Sequence, residues 1–463
     1  MLGTPTSLLN PLSSEAAVRL KYVGKDVRFV PAPAAIIDAA VVRRNCKDML
    51  DTVEALGVGF RAHVKTHKTV QLAKHQVGDR TKDIRLLCST VSEVEHLVPW
   101  LLDSKGEGKS VNVIYGLPVA PSQIPRLADI AHALGPGSIT FLVDHPTQVQ
   151  NLISFATASS TNWPGSISIM IKIDAGYHRA GLAPKSALLT KLTTTAASSP
   201  TIFVSGVYCH MGHSYSSSST AEALSFLHTE LSEAVSGAET VLSSLPSPPS
   251  SPLIISIGAT PTATATQNLL SSSEGAEVAA LISHVKEAFQ LEIHAGVYPV
   301  LDMQQLATAA RPSTIDATPR LSTENIGLRI MAEVASVYEE REKPEALIAA
   351  GSIVLGREPC KSYDGWGVVT PWREDGDEGN SGKVFDPVGD KTGWMVGRIS
   401  QEHGILTWEG PSEGHRALRI GEKVMIWPNH ACMAGPSFGW YFVVDSEVSG
   451  EIVSDIWVRC RGW

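Results

Sequence analysis

Residues 58–70, VGFRAHVKTHKTV, open as an apolar strand and close on an arginine, two histidines and two lysines. A basic cluster is ordinarily a solvated face, so its place in the chain decides how it is read. Seven further β-branched runs follow: IRLLC (84–88), VNVIY (111–115), ITFLV (139–143), ISIMIKI (167–173), IFVSGVY (202–208), LIISI (253–257) and LEIH (291–294). Amphipathic stretches such as SEVEHLVPWLLD and PSQIPRLADIAHAL separate most of them. Strands that each lead into a helix, repeated in this way, predict an α/β fold, a TIM-like (β/α)8 barrel, with an open doubly wound sheet as the alternative.

Chemistry in such a barrel gathers at the carboxyl ends of the strands. The first end carries His63, Lys65 and His67, and the fifth, KIDAGYHRAG, carries Lys172, Asp174, Tyr177, His178 and Arg179. The sixth, CHMGHSY, carries His210 and His213. After the last two strands come GATPT (258–262) and HAGVY (294–298). Loops at those two positions often bind a phosphate through backbone N–H groups and a helix amino terminus. Gly258, Thr260, Thr262, Gly296, Val297 and Tyr298 are therefore expected at a phosphate. A phosphate at one rim and a lysine at another point to pyridoxal 5'-phosphate, whose aldehyde condenses with a lysine amine. Alternation along the strand should turn Lys65 inward with His63 and His67, and Lys68 outward as a surface charge.

The 463 residues carry a formal net charge of -9, which offers no broad basic footprint for nucleic acid or an acidic membrane. No apolar run reaches membrane-spanning length, and MLGTPTSLLNPLSSEAAVRLKYVGKD lacks a signal-peptide pattern. Six scattered cysteines read as reduced thiols in a cytoplasmic protein. The organisation expected is an amino-terminal segment (1–45) packing with a second domain, a cofactor-binding barrel (46–320), and a carboxyl-terminal antiparallel β domain (321–463). The interval 209–252 reads as surface loops around one helix, and residues 259–277 as a low-complexity patch. The acidic stretch 373–390 reads as a mobile insertion. Within EKVMIWPNHACM, His430 and Cys432 stand two apart. If that segment ends as a strand they share one face and could grip a metal, and an imidazole with a thiolate suits Zn2+.

These motifs, in this order, resemble the D-serine dehydratase and D-threonine aldolase family, fold-type III pyridoxal-phosphate enzymes with an alanine-racemase-like barrel. RAHVKTHKT is similar to their cofactor-lysine motif, and PAPAAIIDAAVVRRN (31–45), SQEHG (400–404) and PNHACM (428–433) extend the likeness. The resemblance implies Lys65 as the catalytic, cofactor-bearing lysine. It places Arg179 near the cofactor's phenolic oxygen, with His210 and Tyr177 close to the ring. His294 stands where a racemase has an arginine at the pyridine nitrogen, which implies a weaker electron sink. Cys432 matches the His-x-Cys of the dehydratase branch rather than the His-x-Asp of the aldolases. The implied reaction is zinc-assisted elimination of water from a D-amino acid, D-serine, in a homodimer. A D-threonine aldolase, a 3-hydroxyaspartate dehydratase and a carrier without turnover are the competing readings.

Overall fold

In the computed structural model the described residues are 11–158, 163–270, 275–315, 318–371, 383–411 and 415–463. Residues 373–382 of the expected insertion, and 271–274 of the low-complexity patch, lie outside them. The chain enters through β1 (Ala34–Asp38), buried along its whole length. It passes directly into the helix Ala39–Leu56, which stops because Gly57 takes a left-handed φ of 61°. The expected boundary at residues 45 and 46 falls inside this helix, so segment and barrel are joined without a break.

The eight expected barrel strands are all present: β2 (Gly59–His63), β3 (Asp83–Cys88), β4 (Ser110–Pro118), β5 (Ile139–Val143), β6 (Ile167–Ile173), β7 (Ile202–Cys209), β8 (Ile254–Ile257) and β9 (Gln290–Ala295). They run parallel in that order, and β9 closes on β2 with Phe60 opposite Ile293. A strand such as β6 is buried at every position because helices cover one face and the barrel interior the other.

That interior has two characters. Leu87, Ile114, Leu142, Met170 and Tyr208 form one apolar cluster. Elsewhere in it Arg61 reaches Glu292 at 2.5 Å, with side chains 1% and 0% exposed, and donates to the side-chain amide oxygen of Asn112 at 2.9 Å. The arginine of the opening stretch is therefore half of a buried ion pair, and the strand bodies are not uniformly apolar as expected.

The second domain comprises β10 (Leu328–Tyr338), β11 (Glu345–Ile348), β12 (Gly367–Val369), β13 (Gly393–Ile399), β14 (Gly404–Glu409), β15 (Lys423–Pro428), β16 (Trp440–Val444) and β17 (Asp455–Val458). The order β11-β14-β13-β12-β15-β10, closed by β10 on β11, makes an antiparallel ring of six strands. β1 pairs antiparallel with β10 and parallel with β16.

The interval 209–252 contains the one helix expected there, and the low-complexity patch is helical at its start. The 25-residue helix Thr220–Ser244 buries Leu224, Leu227, Leu231, Ala234 and Ala238. The low-complexity patch opens as the helix Thr260–Thr266, buried throughout, because alanine and threonine are small enough to pack closely. Among the described residues no helix is long and apolar enough to cross a membrane.

Candidate active site

β2 stops at His63, and residues 65–67 turn, so strand alternation does not reach His67. His63 hydrogen-bonds the Ser89 hydroxyl at 2.9 Å. Burial drives its pKa well down, and the charge of Lys65 is the next cause. Lys65 bears in the same way on His210 of β7's carboxyl end and on Cys432 of the second domain. His67 faces elsewhere. Its Nδ1 accepts from the Thr69 N–H at 3.1 Å, so Nε2 donates to Gln76 at 2.9 Å. Lys68, at a left-handed φ of 55°, pairs with the fully buried Glu93 at 2.9 Å and is no free surface charge.

Three aromatic rings gather at the ends of β7 and β9, and one of them, His210, lies within reach of the Lys65 charge. Tyr208 stacks on His294 at 4.3 Å between centroids, and His210 lies 6.1 Å from His294 at 21°. His210 Nδ1 meets the Gly258 carbonyl at 2.7 Å. The Lys172 ammonium sits 4.6 Å from the Tyr208 ring centroid, and burial lowers its pKa to about 8. Burial also holds His294 at about 3, so its ring is neutral. His294 Nδ1 meets the Ser256 hydroxyl at 3.1 Å, and Ser256 in turn bonds the Glu292 carboxylate. A carboxylate only accepts, so Ser256 donates to Glu292 and accepts from Nδ1–H. Nε2 is thereby left as an acceptor, buried and without a partner.

The loop after β8 departs from expectation. Gly258 has φ 151°, and a Cβ there would lie 2.0 Å from the His294 carbonyl oxygen, so only glycine fits. Its N–H donates to Glu230 at 3.0 Å, and the Thr262 hydroxyl donates to the same carboxylate at 2.7 Å. Thr260 accepts from the Val297 N–H at 3.2 Å. Each of these donors thus has a partner within the protein. Gly296 packs on His63, and Val297 is buried. Tyr298 is not brought to the rings: it meets Phe60 edge-on at 5.7 Å, and its hydroxyl lies by Cys46 of the helix Ala39–Leu56. At the open rim Tyr177 is 40% exposed with the Arg179 guanidinium 5.1 Å from its ring. His178 bonds Asp174 at 2.9 Å, and His213 packs against Tyr177 and Phe226.

The metal pair does not share a strand face. β15 ends at Pro428, His430 caps the short helix Ala431–Ala434, and Cys432 lies within it. Cys432 Sγ nevertheless comes 3.1 Å from the hydroxyl of Thr66, the neighbour of Lys65. His430 Nδ1 is buried without a partner, as a ligand nitrogen awaiting a metal would be. Asp302 accepts the Ala431 N–H at 2.8 Å. Among the described residues no group of three or more His, Cys, Asp or Glu is arranged to hold a metal.

Sequence reading passed over Tyr208, Tyr215 and Glu230. Tyr215 lies near the charges of Cys432 and Asp302 and faces Thr260 and Gln305, so it spans both halves of the site. The signal for Glu230 was a carboxylate three residues beyond Leu227, inside an apolar stripe.

A closed parallel barrel joined to a second, antiparallel β domain is the architecture of the alanine-racemase-like class. Residues 37–270 match the family "Alanine racemase, N-terminal domain", and residues 327–444 match "Putative serine dehydratase domain". The chain is 35% identical to a D-serine dehydratase of Schizosaccharomyces pombe, over 96% of this chain and 95% of that one. It is 31% identical to a D-serine dehydratase of Saccharomyces cerevisiae, over 96% and 99%. The chain belongs to the D-serine dehydratase family. The solved D-threo-3-hydroxyaspartate dehydratase from Delftia superposes with a TM-score of 0.71 at 24% identity, covering 95% of this chain and 100% of that one. A variant of that enzyme with one cysteine changed to alanine is described in a metal-free form.

Proposed function

We propose that this protein is a pyridoxal 5'-phosphate- and zinc-dependent D-serine dehydratase, a lyase that converts D-serine to pyruvate and ammonia. The observation that carries the reading is Cys432 of the second domain held 3.1 Å from Thr66, next to Lys65 of the barrel. A cofactor lysine and a soft metal ligand thus face one space. The residues present suit both groups. The neutral His294 ring carries no charge to hold the cofactor's pyridine nitrogen protonated, as the weaker electron sink requires, and the unpartnered His430 Nδ1 with the Cys432 sulfur is a donor pair for zinc.

Pyridoxal phosphate, when bound, supplies an electron sink for the charge left at Cα, and zinc supplies Lewis acidity toward the departing β-hydroxyl. The chain does the rest. Lys65 holds the cofactor and, once displaced by substrate, takes the α proton as a base. His63 and His210, kept neutral by burial, leave the positive charge on the lysine side of the site. Tyr208 and His294 give the flat wall on which a ring is oriented. Arg179 and Tyr177, at the open rim, are placed to meet an incoming carboxylate. Six free thiols, five of them buried, suit a reducing compartment, and we read a cytoplasmic homodimer.

The Delftia neighbour favours a second reading, with 3-hydroxyaspartate as substrate. The test is the product. D-serine should yield pyruvate and ammonia, L-serine should not, and D-threo-3-hydroxyaspartate turned over much faster than D-serine would reassign the substrate.

A further inference from the structure

Glu230 interrupts the apolar stripe of the helix Thr220–Ser244 and is fully buried. Its oxygens meet donors only: the N–H of Met211 at 2.8 Å, the N–H of Gly258 at 3.0 Å and the hydroxyl of Thr262 at 2.7 Å. Met211 follows His210, and Gly258 returns a bond to His210 through its own carbonyl at 2.7 Å. One side chain thus joins the end of β7 to the loop after β8. Nothing in the chemistry above uses it.

We propose that Glu230 is a positioning residue which, as a carboxylate, registers the His210 loop against the Gly258 loop, so that cofactor affinity depends on its ionisation. This rests on the pyridoxal-phosphate reading. A protonated Glu230 would turn its own O–H toward groups that are themselves donating to it, and one of the three bonds would be lost or reversed. Burial raises Glu230 to about 7, against the opposing pull of the Thr262, Met211 and Gly258 donors and of the Lys172 charge. The groups around it are Lys172 from β6, Tyr208 and Cys209 from β7, and the Thr262 hydroxyl from the helix Thr260–Thr266. His228 of the same helix pairs with Glu277 of the helix Ala276–Ala288.

Two pH trends then oppose each other. Because the folded pKa lies above the ordinary 4.5, the stability Glu230 contributes is present below 4.5 and lost as pH rises through about 7. Cofactor affinity runs the other way, full above that pH and weaker below it. A merely structural carboxylate would show the first trend and not the second.

The experiment titrates the apoprotein with pyridoxal phosphate, read by imine absorbance at about pH 6 and about pH 8.5, beside thermal unfolding. Wild type should bind more weakly at the lower pH. Glu230→Gln should bind about tenfold more weakly than wild type at the higher pH, show little pH dependence, and be no less stable there. Thr262→Ser, which keeps the donor, should retain affinity that Thr262→Val loses, and this pair decides the matter if Glu230→Gln does not fold. Equal affinities for wild type and Glu230→Gln at both pH values, or for the two Thr262 variants, overturn the proposal while leaving the cofactor reading intact. A wild type that forms no imine overturns both.

Discussion

Tyr208 and His294 lie face to face, with ring centroids 4.3 Å apart and planes 10° from parallel. The stack excludes water from His294, and dryness rather than any one charge is the leading reason its imidazole stays neutral. His63, His67 and His210 are lowered for the same leading reason. The region around Lys65 is therefore less basic than its sequence suggests.

Four neutral histidines, His67 and His294 buried and His63 and His210 half-buried, predict an acid-labile protein. Each binds its proton in the unfolded chain near pH ~6.5 but not in the fold, so stability falls as pH drops below that value. Each such ring removes up to ~1.4 kcal/mol per pH unit, and Glu230 offsets one of them. Urea midpoints of the cofactor-loaded protein should fall steeply between about pH 7 and about pH 5. A flat profile would show that these rings are charged in the fold.

Borohydride reduction should fix pyridoxal on a peptide containing Lys65. Lys172 is the serious competitor, since its amine is lowered to about 8 and is more often unprotonated than an ordinary lysine. Lys65→Ala should abolish the reducible imine, whereas Lys172→Met should retain it. A label on Lys172 would move the catalytic amine to β6.

Gly258→Ala should be among the more damaging small substitutions, costing roughly 2–4 kcal/mol, because both its φ of 151° and a 2.0 Å clash forbid the methyl. Gly296→Ala meets His63 only at 3.0 Å and should cost less in stability while still disturbing cofactor retention. Paired denaturation and dialysis experiments check the order. The reverse ranking would contradict the geometry.

Glu292→Gln leaves Arg61 charged and buried without its anion, and should destabilise the barrel by about 3 kcal/mol or more. Arg85, 3.2 Å from the same carboxylate, cannot replace the lost charge. Chemical unfolding measures this directly, and an unchanged midpoint would mean that the barrel interior is wetter than its burial implies.

Chelation should stop pyruvate formation from D-serine and zinc should restore it, while the imine absorbance persists throughout. Cys432→Ala should lose the metal and most turnover, by metal analysis and a pyruvate assay. Cys432→Asp offers a harder ligand and should shift preference toward Mn2+. A chelated, metal-free enzyme that still makes pyruvate at full rate would remove zinc from the mechanism.

The barrel strands were legible because a doubly covered strand must be apolar on both faces, and such runs stand out, as in Ile167–Ile173. Lys65 stands out in the sequence by its place at a strand end, and alternation cannot fix its direction, because the backbone leaves the strand at His63. The direction of Tyr298, toward Phe60, was not legible because spacing does not fix how neighbours in a turn point. The bond from the Thr262 hydroxyl to Glu230 was not legible because the two lie 32 residues apart in sequence. The second domain's strands were visible as glycine-punctuated alternation, but their closure into a ring depends on β10 returning to β11.

The turn that carries Lys65 is finished by distant parts of the chain. The Lys68 carbonyl accepts the Cys460 N–H at 2.9 Å, and Thr66 meets Cys432 across 366 positions. During synthesis the barrel can close long before either contact exists, since its strands are complete by Ala295. On the proposed reading of Lys65, the cofactor lysine would then wait in an unfinished turn until the β domain is made. Capture of the cofactor thus belongs to the end of folding rather than to its beginning, and the second domain acts as the step that licenses the first.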